Sequence, residues 1–375
     1  MGKRYWIFLG LGLFFLGQNL WMNPLPYAVK DAQGWSFPLF EKWNEPIRKD
    51  PRQTYRTYPK QIWPPLPFHP EKGIKESRGG MPPFSRIDQG PFVHWLGTDV
   101  LGRDLLSGLV SGLNYAILIG LTSMVPALIL GYFLGFLSGY FGNHRLKISL
   151  VTWILAALFF LIALFYAFAE YYWISSISFM LMLGSFFLPG KKAKSLPLDL
   201  IIVKTIEIFQ SVPGLILVIL VGSLWGQSWW KLALTISFLS WTVFARYVRA
   251  EVLQTSSSEY ILSAKSLGIP WIRQCFYHFL PNLWPQIRVI FMYGIAGAVM
   301  VESSLSFLGI GLPAEAISWG SMIGLGKSNF DHWWMLFFPC LSLVGFIAIL
   351  HGSRGKQKLK LKTKNVLPSD KTISI

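Results

Sequence analysis

Apolar residues run almost unbroken through eight stretches of this chain, at 5–22, 113–141, 148–169, 171–189, 200–225, 229–248, 285–312 and 333–351. A bilayer core about 30 Å thick is crossed by about 20 apolar helical residues, so each stretch predicts a membrane-spanning helix. An even number of spans returns both termini to one side. Short loops rich in Lys and Arg stay in the cytoplasm. With both termini inside, Arg145, Lys191, Lys192, Lys194, Lys265 and Arg273 are cytoplasmic, and only Lys231 and Lys327 fall on short outer loops. The expectation is a multi-pass protein of the cytoplasmic (inner) membrane with both ends in the cytoplasm.

Polar segments divide the chain further. Residues 1–22 imitate a secretory signal, but QNLWMNP lacks a small-x-small cleavage site, which favours an uncleaved anchor over a signal peptide. Residues 23–112 form an extracytoplasmic segment whose IWPPLPFHP and MPPF runs predict extended, turn-rich structure. Its end, HWLGTDVLGRDLLSGLVSGLNYAIL, predicts a surface helix capped by Thr98 or Asp99, with Val100, Leu101, Leu105, Leu106 and Leu109 at helical spacing. Residues 113–351 form the membrane domain, in which 144–199 is an inserted hairpin and 249–284 a long cytoplasmic loop. A basic cytoplasmic tail follows at 352–375, and its RGKQKLKLKTK run suits anionic lipid headgroups.

Composition agrees with the pattern: 53% of the 375 residues are hydrophobic and 14% charged, too apolar for a soluble core. The net charge of +16 follows from sorting basic residues to the inside, so nucleic acid is not needed as a partner. Cys275 and Cys340 cannot make a disulfide framework. Pro126 and Pro213 interrupt two spans, while Gly294 and Gly297 lighten another, either for close helix packing or for solute contact.

The loop has its own design. Glu259 to Leu267 predicts a short helix with Ser256, Ser257 or Ser258 as cap; Gly268 ends it and Pro270 prevents continuation. A second helix from Trp271 to Leu280 is expected to stop at Pro281. Ser263, Ala264 and Ser266 make the first helix thin on one side, which suits a partner's groove; the alternative is a plain connector.

Candidate chemistry is sparse. SMIGLGKS at 321–328 has Ser321 where a phosphate-binding loop needs its first glycine, and no strand precedes it. The six histidines, 69, 94, 144, 278, 332 and 351, have no metal-ligand spacing, and no GxSxG occurs. An enzyme, a bound metal and a bound nucleotide are therefore not expected. Lys204 and Glu207 are three apart and suit an ion pair on one helix face. Arg246, Arg249 and Glu251 sit at the inner mouth, as interfacial anchors or local ion pairs. Glu302 is an acid within a span, either functional or held by structural hydrogen bonds.

SAKSLG (263–268) followed by HFLPN (278–282) resembles the "EAA" coupling loop of type I ABC importer permeases. LGTDVLGRD (96–104), SGYFGN (138–143), QSVPGLIL (210–217), VRAEVL (248–253), ESSLSFLGIGL (302–312) and SWGSMI (318–323) resemble, in order, motifs of the dipeptide and oligopeptide permeases. The resemblance covers about 94–330 except the insertion, and GWSFPLF (34–40) is similar to the microcin-C-type subfamily. It implies an all-α polytopic fold, the type I ABC importer transmembrane domain, with about six core helices plus an inserted hairpin. It also implies a permease of an ATP-driven importer for peptides or peptide-like solutes.

Implied partners are ATP-binding subunits carrying ATP and Mg, a second homologous permease, an extracytoplasmic solute-binding protein and membrane lipid, with no cofactor on this chain. By the same resemblance Tyr260, Ser263, Ala264, Leu267 and Gly268 form the docking surface and its helix stop, and His278, Pro281 and Asn282 set the return angle. Leu96, Gly97, Thr98, Asp99, Gly102, Arg103 and Asp104 form the outer signature. The chain departs from the family at Leu262, where the loop's Glu is expected, and at Lys204 and Glu207, where Arg and Asp are usual. A secondary transporter or channel, or a membrane scaffold, would also account for the spans. The first needs intramembrane coupling charges and inverted repeats, and the second leaves the ordered motifs unexplained.

Overall fold

The computed structural model describes residues 22, 25–31, 34–38, 60–70, 79–86, 92–143, 147–149, 158–159, 162, 172–185, 193–195, 197–225 and 227–352. The expected anchor at 1–21, most of the span at 148–169, residues 171 and 186–189 of the span at 171–189, and the tail beyond 352 lie outside the described residues. Two compact units emerge: Met1–Val125 with Gly214–Phe238 and Val289–Ile375, and Pro126–Pro213 with Leu239–Arg288.

The first unit begins with small sheets. β1 (Ala28–Asp31) pairs antiparallel with β2 (Gly34–Ser36), Val29 opposite Ser36, and with β3 (Lys60–Ile62), Ala28 opposite Ile62. β4 (Ser85–Arg86) pairs with β5 (Val93–His94). Proline-rich sequence thus gives short strands and turns, as its missing N–H groups and fixed φ dictate.

Helix α1 (Leu105–Phe141) runs 37 residues, about 55 Å at 1.5 Å per residue. The sequence predicts a surface helix that starts after a cap at Thr98 or Asp99, and then a separate span from 113; the structure corrects this to one helix that starts at Leu105. Residues 96–104 are turns because Gly97 and Gly102 take φ of 84° and 73°, left-handed values that interrupt any helix. The helical spacing of Val100 and Leu101 was coincidental. Pro126 is accommodated inside the helix.

The insertion leaves and returns at one place. β6 (Lys147–Ser149) pairs antiparallel with β7 (Ala193–Ser195), zipping its two ends, and helix α2 (Tyr172–Ser185) lies between them in sequence. α3 (Leu198–Ser211) follows, then α4 (Gly214–Trp225), the two separated at Val212 and Pro213. α5 (Trp229–Thr255) leads through a turn to α6 (Glu259–Ser266). α7 (Trp271–Gln274), a π turn over Cys275–Phe279 and α8 (Leu280–Phe307) continue one another, and α9 (Trp319–Gly326) and α10 (Trp334–Gly352) complete the chain.

Among the described residues three helical segments are long and apolar enough to cross a membrane: Leu105–Phe141, Trp271–Phe307 and Trp334–Gly352. The broken pair Leu198–Ser211 and Gly214–Ser223 makes a fourth candidate.

In the second unit α1 and α5 meet backbone to backbone. A Cβ on Gly131 would lie 2.5 Å from the Phe244 side chain, one on Gly135 2.5 Å from the Ala245 carbonyl oxygen, and one on Gly139 2.9 Å from the Arg249 carbonyl oxygen. Glycines four apart put this bare strip on one face of α1. Gly297 is different: a Cβ there meets nothing within 4 Å among the described residues, so it marks no close approach between helices of this chain.

Helix propensity favours Ala over Gly by about 1 kcal/mol, so the sign of a substitution reports the contact. Gly135→Ala is expected to destabilise by about 1–3 kcal/mol through overpacking, and Gly297→Ala to be neutral or stabilising. Thermal unfolding of the detergent-solubilised protein measures both.

Candidate functional site

The second unit's core is an aromatic column with α6 resting on it. Tyr132, Phe136 and Tyr140 project from α1 at four-residue spacing; Phe136 stacks on Tyr140 at 5.2 Å and meets Phe279 edge-on at 5.3 Å. Val248, Val252, Ile261, Cys275, Leu283 and Ile287 complete this cluster. Ile261 is wholly buried, and such an apolar side chain contributes about 1.5–3 kcal/mol. Ala264, one turn on, is 4% exposed. Its placement on the docking surface is therefore corrected: Ala264 faces inward, and its small size lets α6 lie close to the core. The outward residues are Tyr260, Leu262, Ser263 and Leu267, with Leu267 79% exposed.

The helix is thin on that outer side because its hydroxyls fold back. Ser263 Oγ donates to the Glu259 carbonyl at 2.9 Å and Ser266 Oγ to the Leu262 carbonyl at 3.0 Å. Ser258 stands at the N-cap, but its hydroxyl donates to the Thr255 carbonyl at 2.6 Å and caps nothing. The stop is as expected and closed twice: Gly268 N–H donates to Lys265 O at 3.0 Å and Ile269 N–H to Ala264 O at 3.1 Å. Gly268 has φ of 68°, the left-handed conformation this termination requires.

Gln274 links the two halves of the loop. It is buried, donates from Nε2 to the Ile269 carbonyl at 2.7 Å, and accepts from the Tyr140 hydroxyl at 3.3 Å. Beyond it the expected stop at Pro281 is corrected, because the helix passes through that proline. A proline clashes with the carbonyl four residues back. The π turn widens the preceding turn, so that Leu280 N–H bonds to Cys275 O. The Tyr132 hydroxyl also donates to that carbonyl, at 2.8 Å. Pro281 and Asn282 are exposed, His278 is half-buried, and Asn282 Nδ2 approaches the Tyr260 hydroxyl at 3.4 Å. Trp271, Ile272, Phe276 and Tyr277 are exposed as well, Tyr277 by 74%.

The polar residues around α3 and α5 pair closely. Asp199 receives two bonds from the Arg249 guanidinium, Nε to Oδ1 at 2.5 Å and Nη2 to Oδ2 at 2.7 Å. The Ser138 hydroxyl adds a third at 2.5 Å. Arg246 donates to the Gln210 amide oxygen, and Gln210 Nε2 to Thr242 Oγ1 at 3.3 Å. The Tyr247 hydroxyl donates to Glu251 at 3.0 Å. Lys204 and Glu207 pair at 2.8 Å on an exposed face, as their spacing predicted. Asp199 and Gln210 are not among the residues singled out from the sequence, because their partners lie 50 and 32–36 residues away.

In the first unit residues 96–104 form a compact hydrogen-bonded turn. Thr98 Oγ1 accepts from Met81 N–H at 2.9 Å, and its carbonyl accepts from Trp334 Nε1 at 3.2 Å. Asp99 Oδ1 accepts the N–H groups of Leu101 and Arg103, both at 2.8 Å, while Arg103 Nε stands 3.8 Å from Oδ2. Burial pushes the Asp99 carboxyl above the usual carboxylate range, against the pull of Arg103 and these donors.

The cap of α1 is Asp104, not Thr98 or Asp99. Its Oδ2 accepts from Ser107 N–H at 2.8 Å and Oγ at 2.9 Å, and its Oδ1 faces His94 Nδ1 at 2.8 Å. Leu96 is half-buried in the turn. Glu302 is buried among hydroxyls, accepting from Ser306 at 2.7 Å and Ser303 at 3.2 Å. Ser318, at the N-cap of α9, also reaches it.

The profile of the family described as binding-protein-dependent transport system inner membrane component matches residues 180–355. The chain is 27% identical over 274 residues to the oligopeptide transport system permease protein OppC of Bacillus subtilis, 72% of each chain. It is 28% identical over 248 residues to the dipeptide transport system permease protein DppC of that organism, covering 66% of this chain and 61% of the relative. The inner membrane ABC transporter permease protein YejE of Escherichia coli is 26% identical over 359 residues, 92% of this chain and 88% of its own.

A Cβ at Gly268 meets nothing within 4 Å, so replacement costs only the left-handed φ. Gly268→Ala is expected to cost about 1–2 kcal/mol of local stability and Gly268→Asn less. Hydrogen exchange at the amides of residues 268 and 269 should quicken about tenfold in the Ala variant.

Proposed function

We infer that this chain, which carries the inner membrane component domain of binding-protein-dependent transport systems, is a multi-pass permease of a dipeptide/oligopeptide-type ABC importer. The names of its relatives favour peptides or peptide-like solutes as cargo. The observation that carries the coupling part of the reading is α6. One face of this helix is sealed into the core through Ile261 and Ala264, and the other offers Tyr260, Leu262 and Leu267 to solvent. A partner seated there would move α6 together with the column beneath it.

That partner is an ATP-binding subunit, which would hold ATP and Mg, on the cytoplasmic side where the basic loops and both termini lie. With Leu262 in the place of an acid and the serine hydroxyls turned back, the contact would depend on shape and apolar area rather than charge. A second homologous permease would complete the pathway, and a solute-binding protein would deliver cargo to the opposite surface. Surrounding lipid would cover the exposed apolar helix faces. A docked partner shifts an inward-open to outward-open equilibrium only by its differential affinity for the two states. Docking must therefore change with ATP. A non-ATP-driven transporter is less well supported, because Glu302 is engaged by hydroxyls of its own surroundings.

Leu267→Asp places a charge where the helix should seat. Co-purification of ATP-binding subunits is expected to fall at least about thirtyfold, in line with an interface anchor worth about 2 kcal/mol or more, and uptake of a labelled peptide with it. Normal association and uptake, with the variant inserted at wild-type level, would sink the docking assignment.

A further inference from the structure

α3 is strapped to α5 at both ends. At its start, Asp199 takes the Arg249 guanidinium in a two-bond grip. At its finish, three turns later, Gln210 lies between Arg246 and Thr242. Phe209 packs edge-on against Trp241 at 5.7 Å beside the Gln210 contact. Because 199 pairs with 249 and 210 with 242 and 246, the helices run antiparallel and in register.

The grip at Asp199 also takes in a third element. Ser138 of α1 donates to its Oδ1; its own N–H donates to the Gly142 carbonyl at 3.3 Å; and Asn143 Oδ1 accepts from Leu200 N–H at 3.0 Å. One carboxylate thus gathers the end of α1, the start of α3 and the last turns of α5. α5 continues without interruption to Thr255, four residues before α6 begins.

We propose that Asp199 is a positioning residue for coupling: its pairing with Arg249 clamps α3 to the helix that feeds the docking loop, so that α3 moves with the loop. The proposal rests on the permease reading above. Two-bond guanidinium–carboxylate pairs fix orientation as well as distance, which a single contact could not do for two rods. The clamp closes at residue 199, the last residue of the inserted segment, so the insertion's return is anchored to the same lever.

Removing one partner of a shielded pair strands the other charge, so single variants alone would confound loss of coupling with loss of stability. The test therefore includes the exchanged pair, Asp199→Arg with Arg249→Asp. Spin labels go on Ile208→Cys of α3 and Leu253→Cys of α5, both exposed, with Cys275 and Cys340 replaced by Ala. The permease, with its co-purified ATP-binding subunits, is placed in nanodiscs, and a fluorescent tripeptide is the transport probe.

In the otherwise native protein the 208–253 distance is expected to be narrow and the same with and without ATP and Mg. In Asp199→Asn it should broaden and change on adding ATP, and ATP hydrolysed per tripeptide imported should rise about tenfold, within the usual range of coupling between sites. The exchanged pair should restore both. An unchanged distance and ratio in Asp199→Asn, or an exchanged pair that stays defective, overturns the clamp. Where Asp199→Asn does not assemble, the exchanged pair decides in the same way. Absence of any co-purifying ATP-binding subunit from the native chain overturns the permease reading instead, since the ATP-free distance is measured without it.

Discussion

Much of the second unit depends on how closely α1 and α5 approach. Gly131, Gly135 and Gly139 bring the Ala245 and Arg249 carbonyls to within van der Waals reach of the α1 backbone. Such separations leave no room for a methyl group, and in a bilayer this packing, rather than expulsion of water, holds helices together. The approach places Arg249 where Asp199 and Ser138 meet it, and Val248 and Val252 against the aromatic column. Widening the seam would loosen the seat of α6 and the polar clamp together.

The loop built on that seam is stiff for a connector. Its first helix is ended by two backbone hydrogen bonds at Gly268, its turn is held by Gln274, and its return helix absorbs Pro281 through a π turn rather than breaking. Each device satisfies backbone groups that a membrane-edge loop would otherwise leave open. Stiffness of this kind suits the proposed coupling role, because a soft connector would dissipate a partner's displacement before it reached α5.

Some of this was legible in advance. The apolar runs at 113–141, 200–225, 285–312 and 333–351 appear as long or broken helices, and Gly268 ends α6 where a glycine followed by proline says it should. The i, i+3 pair of Lys204 and Glu207 formed as spacing predicts. Other residues misled for physical reasons. Val100 and Leu101 have helical spacing but sit between two left-handed glycines. Pro281 carries a strong local stop signal that a widened turn overrides. Ala264 belongs to a motif that elsewhere suggests contact with a partner, yet its small side chain points inward because Ile261, one turn earlier, fixes which face is buried.

Sequence alone determined what is local or summed: apolar runs long enough to cross a membrane, the glycine that ends α6, and an order of motifs resembling that of importer permeases. Hydropathy and backbone preference act within a few residues, so they can be read without knowing the neighbours. Tertiary structure decided which face of α6 is free, that Asp104 rather than Asp99 caps α1, and that Asp199 meets an arginine fifty residues away. These outcomes depend on which helices touch and in what register. Long-range contacts of that kind carry no signature at any one position, because the energy of an ion pair or a packed glycine exists only once both surfaces have been brought together.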